Sequence, residues 1–500
     1  MFAEKNYFHF SHLKFIYLPK IDIYLFLIDK ISNMKRKGQQ QNSASPQLLS
    51  HYEAMLQSGE LSYLNEEDWL ALIDYYSLGV ANKSQVALTV SERAIAQHPF
   101  SIELHVQHAR MLNLNDESKK AIEFIEEKQY LSPNDKEMLL VKAQALLQDD
   151  EDEKSQELLA KIKKEADPEL LIDILLTEAD VLEKQQEFDL MFESLQNVLL
   201  LQNDNQEALE RIWLCTELSG RYEDSIILHK KVLELDSFSF QAWYNLGQAY
   251  FSEEKYNDAQ EAFEYAYLIN DDFEFAYRDR GEALLILGKY KDALNCYQEV
   301  KEKFIPDSDL YCKIGQCYGF LDQPEIALEH FAVSLQMGNV DADVYFHTGL
   351  CLNASQKFES AIDSLEKAIK IDPEREEFHL AIADIYFHIE KNEPAIYHYQ
   401  KAVDIAPENS IAWLHYASFN FLHYGEEAAL EIIDEALFYC DTPEFQYFKV
   451  VCLIAAGRRQ EGMVKLLQLL KEFPAKANFM YEVMPDLIQD TEFSLIIEGK

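Results

Sequence analysis

From Phe240 onward this chain can be cut every 34 residues, at 274, 308, 342, 376, 410 and 444, without a gap, and each piece carries the same pattern. That regularity limits the fold more than any other feature. A unit of this length cannot bury its apolar face alone, so it must stack on copies of itself. With each cut taken as position 1, position 4 reads Trp243, Tyr277, Tyr311, Tyr345, His379, Trp413 and Tyr447. Position 8 reads Gly247, Gly281, Gly315, Gly349, Ala383, Ala417 and Val451. Position 20 is Ala259, Ala293, Ala327, Ala361, Ala395, Ala429 and Met463, and position 24 is Phe263, Tyr297, Phe331, Leu365, Tyr399, Ile433 and Leu467.

Each column has a physical reading. Apolar residues three or four apart share one face of a helix. The small residues at 8 and 20 let the two helices of a hairpin approach closely, and the large residues at 4, 11 and 24 are expected to fill the space between hairpins. Pro373 and Pro407 at position 32 lack an N–H and end the second helix. Short polar turns such as Gly288-Lys289-Tyr290 and Ser252-Glu253-Glu254-Lys255 separate the helices. Gly (15) and Pro (13) are too scarce for a turn-rich all-β chain.

The frame also runs backwards, more worn. The piece from 206 keeps Trp213, Ser225 and Val232, and that from 172 keeps Ala179 and Val198. Those from 136, 102 and 68 keep Ala143 and Ser155, then Ala109, Ala121 and Pro133, then Ala87, Ala94 and Pro99. Twelve repeats are expected over 68–477, with a two-residue insertion before 172. The run Trp243-x2-Leu246-Gly247-x2-Tyr250, followed by Ala259-x3-Phe263-x2-Ala266, resembles the tetratricopeptide repeat. The resemblance covers some four-fifths of the chain. It implies an all-α, right-handed superhelical solenoid of antiparallel helix pairs, with a concave groove lined by the first helices.

The ends differ from the array. Residues 1–46 hold seven Lys or Arg and three acids, in a chain whose formal net charge is −43. Their apolar stretch, Ile21 to Ile28, is too short and too charged to span a membrane, and no small-residue cleavage site follows it. Residues 1–33 are read as a doubtful extension with Met34 as the start. The alternative is a degenerate signal or anchor. Residues 34–47 read as a polar linker, 48–67 as an N-terminal capping helix, 68–239 as degenerate repeats, 240–477 as clean repeats and 478–500 as a C-terminal capping helix.

The acidity disfavours nucleic acid and anionic membranes as partners. It suits a solvated surface or a groove that draws in a basic segment. The seven cysteines form no CxxC and fall in apolar helical patterns, as expected of buried free thiols in a reducing compartment.

No ordinary catalytic domain fits in what the array leaves over. The chain has no phosphate-binding glycine loop, GxSxG, HExxH or paired CxxC. Ser364-Leu-Glu-Lys367 matches SxxK by accident within a second helix, and Cys312 and Cys317 are spaced too awkwardly for zinc. His347, His388 and His415 can face the groove, but scattered histidines are the expectation. The chain is read as non-enzymatic, with no catalytic residue, cofactor or metal.

The resemblance assigns positions 2, 5, 6, 9, 12 and 13 to the groove. The candidate partner-binding residues are Tyr244, Asn245, Gln248, Arg278, Asp279, Glu282, Lys313, Gln316, Phe346 and His347. Tyr244, Asn245, Gln248, Arg278 and Glu282 are expected to be exposed. Phe251, Phe387 and Phe421 fit either the groove or the core between repeats. Some relatives grip a C-terminal carboxylate with Lys and Asn at positions 5 and 9, and that pair is missing here. The expected function is a bacterial-type cytoplasmic adaptor that holds protein segments, basic or rich in aromatics, in its groove. The alternatives are a subunit of an envelope or secretion assembly, periplasmic or membrane-associated, and an accessory chain of a separate enzyme.

Overall fold

The computed structural model describes residues 44–58, 62–78, 83–338 and 340–485, with 487, 493, 496 and 497. The extension 1–33, most of the linker 34–47 and much of the terminal segment 478–500 lie outside the described residues. Among the described residues every regular element is a helix.

The repeat beginning at 240 shows how the local sequence builds a pair. The Ser239 side chain accepts a hydrogen bond from the Ala242 N–H and starts the helix Phe240–Ser252, satisfying a donor that the helix leaves unpaired. At the other end Glu254 adopts φ 57°. Its left-handed backbone lets the Lys255 N–H reach the Tyr250 carbonyl at 2.9 Å and the Glu254 N–H reach Phe251 at 3.0 Å. This double closure stops the helix and reverses the chain. The second helix, Tyr256–Ile269, ends at Asn270, where the backbone turns extended.

The same punctuation recurs. Ser101, Asp135, Asp167, Asn205, Asp307 and Asn409 cap first helices with side-chain oxygens. Hairpin turns place Asp116, Asp150, Gln186, Asp322, Gln356 and Glu390 at positive φ, and Gly220, Gly288 and Gly457 do so where glycine is present.

The structure divides into two compact units between Ala276 and Tyr277. In the N-terminal unit the helix Pro46–Ser58 precedes six pairs: Glu66–Leu78 with Ser84–Gln97, Ile102–Leu114 with Ser118–Lys128, Lys136–Gln148 with Asp152–Lys163, Pro168–Lys184 with Phe188–Leu201, Gln206–Ser219 with Tyr222–Leu235, and Phe240–Ser252 with Tyr256–Ile269. The C-terminal unit holds Tyr290–Lys303, partner of Glu274–Ile286, then Ser308–Phe320 with Pro324–Gln336, Ala342–Ala354 with Phe358–Ile371, Glu376–His388 with Asn392–Ile405, Ser410–His423 with Glu426–Tyr439, and Pro443–Ala455 with Arg459–Glu472. A short helix, Phe479–Val483, follows.

Within each unit the core falls into local clusters, as expected where each repeat buries its face on the next. One runs from Leu175 to Ala262 through Phe192, Trp213 and Leu246. Another runs from Leu380 to Phe493 through Trp413, Phe419 and Phe448. The position-24 side chains were expected to fill the space between hairpins. Tyr399 does so, packing on Tyr416 and Phe419 of the next pair with centroids 5.9 and 5.4 Å apart, and these side chains also lie over position 8 of their own pair. A β-carbon built on Gly247 would lie 2.6 Å from the Phe263 ring, and one on Gly281 would lie 2.7 Å from Tyr297. The ring occupies the space left by the missing side chain and sets how closely the two helices approach.

Candidate functional site

The first-helix face of the N-terminal unit carries three of the sequence candidates on Phe240–Ser252. Tyr244 is half-buried, with its ring edge-on to Phe273 at 4.8 Å. Gln248 donates from Nε2 to the Tyr244 hydroxyl at 2.7 Å. Asn245 was expected to be exposed and is only 1% so. Its amide Nδ2 donates to the Leu209 carbonyl at 2.7 Å and lies 3.3 Å from His229 Nε2. His229 Nδ1 is 2.8 Å from the Ser225 carbonyl, which fixes the proton on Nδ1 and leaves Nε2 to accept from Asn245. Burial pulls the His229 pKa down to about 4, so the ring is neutral. Position 6 here faces the preceding first helix, and Asn245 joins repeats instead of meeting solvent. Gln248 is buried for a related reason, its amide being turned onto Tyr244.

The other candidates lie in the C-terminal unit. Arg278 reaches Asp307 at 3.0 Å and Asp309 at 3.5 Å. Asp279 is buried, and Glu282 lies 3.5 Å from the Lys313 ammonium. Burial opposes the Lys313 charge, but Glu282 and Asp309 outweigh it and hold the ammonium above its ordinary range. Burial raises the Asp309 carboxyl despite Lys313 and Arg278. Gln316 is buried against Cys312, with no hydrogen-bond partner for Oε1 among the described residues. Phe346 is buried on Phe378, with centroids 5.0 Å apart, and on His347. Burial pulls His347 down to about 4.

Sequence reasoning missed Arg375, which bridges Asp343 at 2.6 Å and Glu377 at 2.5 Å. It also missed Asp384 as the partner of His415. The signal was present: Asp309, Asp343 and Glu377 all stand at position 2.

A spatial rule links several of these contacts. A carboxylate at position 9 of one first helix meets a cationic side chain at position 6 of the next. Asp180 meets Arg211 at 2.7 Å, Glu282 meets Lys313 at 3.5 Å, and Asp384 meets His415 Nδ1 at 3.0 Å. Arg211 gathers Glu183 at 2.7 Å and Glu207 at 3.1 Å as well.

The ambiguous phenylalanines divide. Phe251 is buried against Tyr256, with centroids 5.1 Å apart. Phe387 and Phe421 are half-buried, edge-on to Phe419 and Phe448 respectively. The SxxK pair is occupied elsewhere, Ser364 donating to the Ser360 carbonyl and Lys367 pairing with Asp363 at 2.7 Å. Burial raises Cys215, Cys317 and Cys351 to about 12, which leaves these thiols protonated. Among the described residues no three His, Cys, Asp or Glu side chains gather as metal ligands, and no helix is long and apolar enough to cross a membrane.

Repeating helix pairs with a small residue at 8 packed beneath a large one at 24 are the structural form of the sequence motif. Residues 240–273 and residues 354–410 each match a family described as Tetratricopeptide repeat. The chain carries tetratricopeptide repeats. It is 27% identical to Tetratricopeptide repeat protein 8 of Caenorhabditis elegans over 82 residues, 16% of this chain and 16% of that protein. It is 27% identical to Superkiller complex protein 3 of Homo sapiens over 135 residues, 24% of this chain and 8% of that protein. The chain thus spans less than a fifth of either curated relative. The solved structure of the APC/C hetero-tetramer Cut9-Hcn1 covers 81% of this chain and 99% of its own, at 13% identity and a TM-score of 0.40. Tetratricopeptide repeats serve in general as protein-interaction scaffolds.

Proposed function

We propose that this tetratricopeptide-repeat chain acts by holding a partner protein against its first helices and carries out no chemistry of its own. One observation carries this reading. The first-helix face from Arg278 to Glu377 is a fixed array of charged side chains, each held by a neighbour and still partly open to solvent. Arg278 is 17% exposed, Lys313 19%, Glu282 24% and Arg375 27%. Side chains already held in place lose little freedom when a partner arrives, which favours binding.

The partner segment is basic. On this face the carboxylates of Asp279, Glu282, Asp307, Asp309, Asp343 and Glu377 outnumber the cations of Arg278, Lys313 and Arg375. Half-exposed Tyr244 in the N-terminal unit supports an aromatic component. The free cysteines support a cytoplasmic setting.

The test begins with affinity purification of the native protein and mass spectrometry of what accompanies it. Binding of the recovered partner is then measured directly. Raising the ionic strength should weaken it, and Asp307→Asn combined with Asp309→Asn should reduce it while circular dichroism stays unchanged. Equal affinity in wild type and double variant would remove this face from consideration.

A further inference from the structure

Three first-helix junctions, between the repeats beginning at 172 and 206, at 274 and 308, and at 376 and 410, are closed by the same rung, a carboxylate at position 9 facing a cation at position 6 of the next repeat. Two of the cations, Arg211 and Lys313, are permanently charged in the physiological range. The third is a histidine. We propose that Asp384, His415 and Tyr399 form a protonation-controlled version of this rung, so that the junction between the repeats beginning at 376 and 410 tightens or loosens with pH.

The geometry is built for it. Both Asp384 oxygens lie within reach of His415 Nδ1, at 3.0 and 3.1 Å. The Tyr399 hydroxyl donates to the same carboxylate at 2.6 Å. Tyr399 is 1% exposed and burial pushes its pKa well up, so it stays a donor. The carboxylate is therefore anchored from the Asn392–Ile405 helix while it reaches across to the Ser410–His423 helix. The His415 side chain remains 37% exposed, which gives solvent protons a route to the ring.

The other charged groups near this junction have tasks of their own. Lys449 on the next first helix is held by Asp434. Asp404 and Glu435 act on the Tyr416 hydroxyl, one residue along from His415. The Asp384 carboxylate raises the His415 pKa, with burial opposing it. The sign follows from the raised folded-state value. The rung contributes fully below the unfolded histidine pKa of about 6.5 and is lost as pH rises through the folded value. Lys313 in the same slot does not release its proton in that window.

The experiment uses the full chain with histidines labelled at Cε1, and His415→Gln identifies the signal. His415 is expected to titrate above the ordinary histidine range, and Asp384→Asn should bring it down. Thermal midpoints at about pH 6 and about pH 9 provide the second readout. Wild type should lose more stability between them than His415→Lys, which makes the rung permanent. A His415 that titrates at or below the ordinary range overturns the proposal, as does an equal pH response in wild type and His415→Lys. The titration is read on wild type, so it stands even if a variant fails to fold.

Discussion

The ring of Phe331 lies where a side chain on Gly315 would have to be: a β-carbon built there would sit 2.6 Å from Cε1 and 2.8 Å from Cδ1. Position 8 and position 24 are thus one packing decision written at two places in the sequence. Gly315→Ala gains about 1 kcal/mol in helix propensity. Against this, overpacking a filled core costs about 1–3 kcal/mol, and Phe331 is fully buried and cannot yield. A net loss of about 1 kcal/mol is expected in denaturant unfolding. Adding Phe331→Leu should recover part of it, because the smaller side chain clears the new methyl, and a double-mutant cycle would report the coupling.

Glu254 closes its hairpin at φ 57°. A residue with a β-carbon adopts this conformation at a cost of about 1–2 kcal/mol, and glycine avoids it. Glycine returns part of the gain through a freer unfolded chain. Glu254→Gly should therefore stabilise by about 0.5–1 kcal/mol, read as a higher denaturation midpoint. No gain would mean that the Glu254 side chain makes a compensating contact.

Arg211 is nearly enclosed by Asp180, Glu183 and Glu207. Burial raises the Asp180 carboxyl even with the guanidinium beside it. Arg211→Ala leaves three carboxylates facing one another and should cost about 1 kcal/mol, below the range for a fully buried pair because the carboxylates stay a third to nearly a half exposed. Arg211→Ala with Asp180→Asn should be less damaged than Arg211→Ala alone. Urea melts of the three proteins check this.

Buried His229 is held neutral, with its pKa near 4. Its folded value is depressed, so the folded state resists the proton that the unfolded chain accepts. Stability from this group is present above about pH 6.5 and falls as pH drops from there towards about 4. His229→Gln should flatten the acid side of the stability profile, and a profile unchanged from wild type would count against a neutral buried ring. Asn245→Ala should cost about 1–3 kcal/mol, because it strips the Leu209 carbonyl and His229 Nε2 of their donor.

Much of this molecule was legible because a repeat prints its constraints many times. Gly247, Gly281, Gly315 and Gly349 recur at one interval, and a period of that kind survives the wear of individual positions. The face was less legible than the fold. Asn245 and Arg278 stand one position apart in the repeat frame, at 6 and 5. Asn245 is sealed on Leu209, whereas Arg278 keeps some contact with solvent. Position alone could not separate them, because exposure depends on which backbone carbonyl or carboxylate of the neighbouring repeat lies opposite.

The sequence by itself determined the helix pairs, their 34-residue register and the small residues that let the two helices of a pair approach. These rest on short-range periodicity and on steric volumes that any copy of the motif must satisfy. Only the tertiary structure decided that Asp384 meets His415, that Arg375 bridges Asp343 and Glu377, and that Asn245 is interior. Apart from Arg375 with Glu377, those contacts join residues some thirty positions apart. Their existence depends on how one hairpin is seated on the next, and hydrophobic periodicity does not encode that seating.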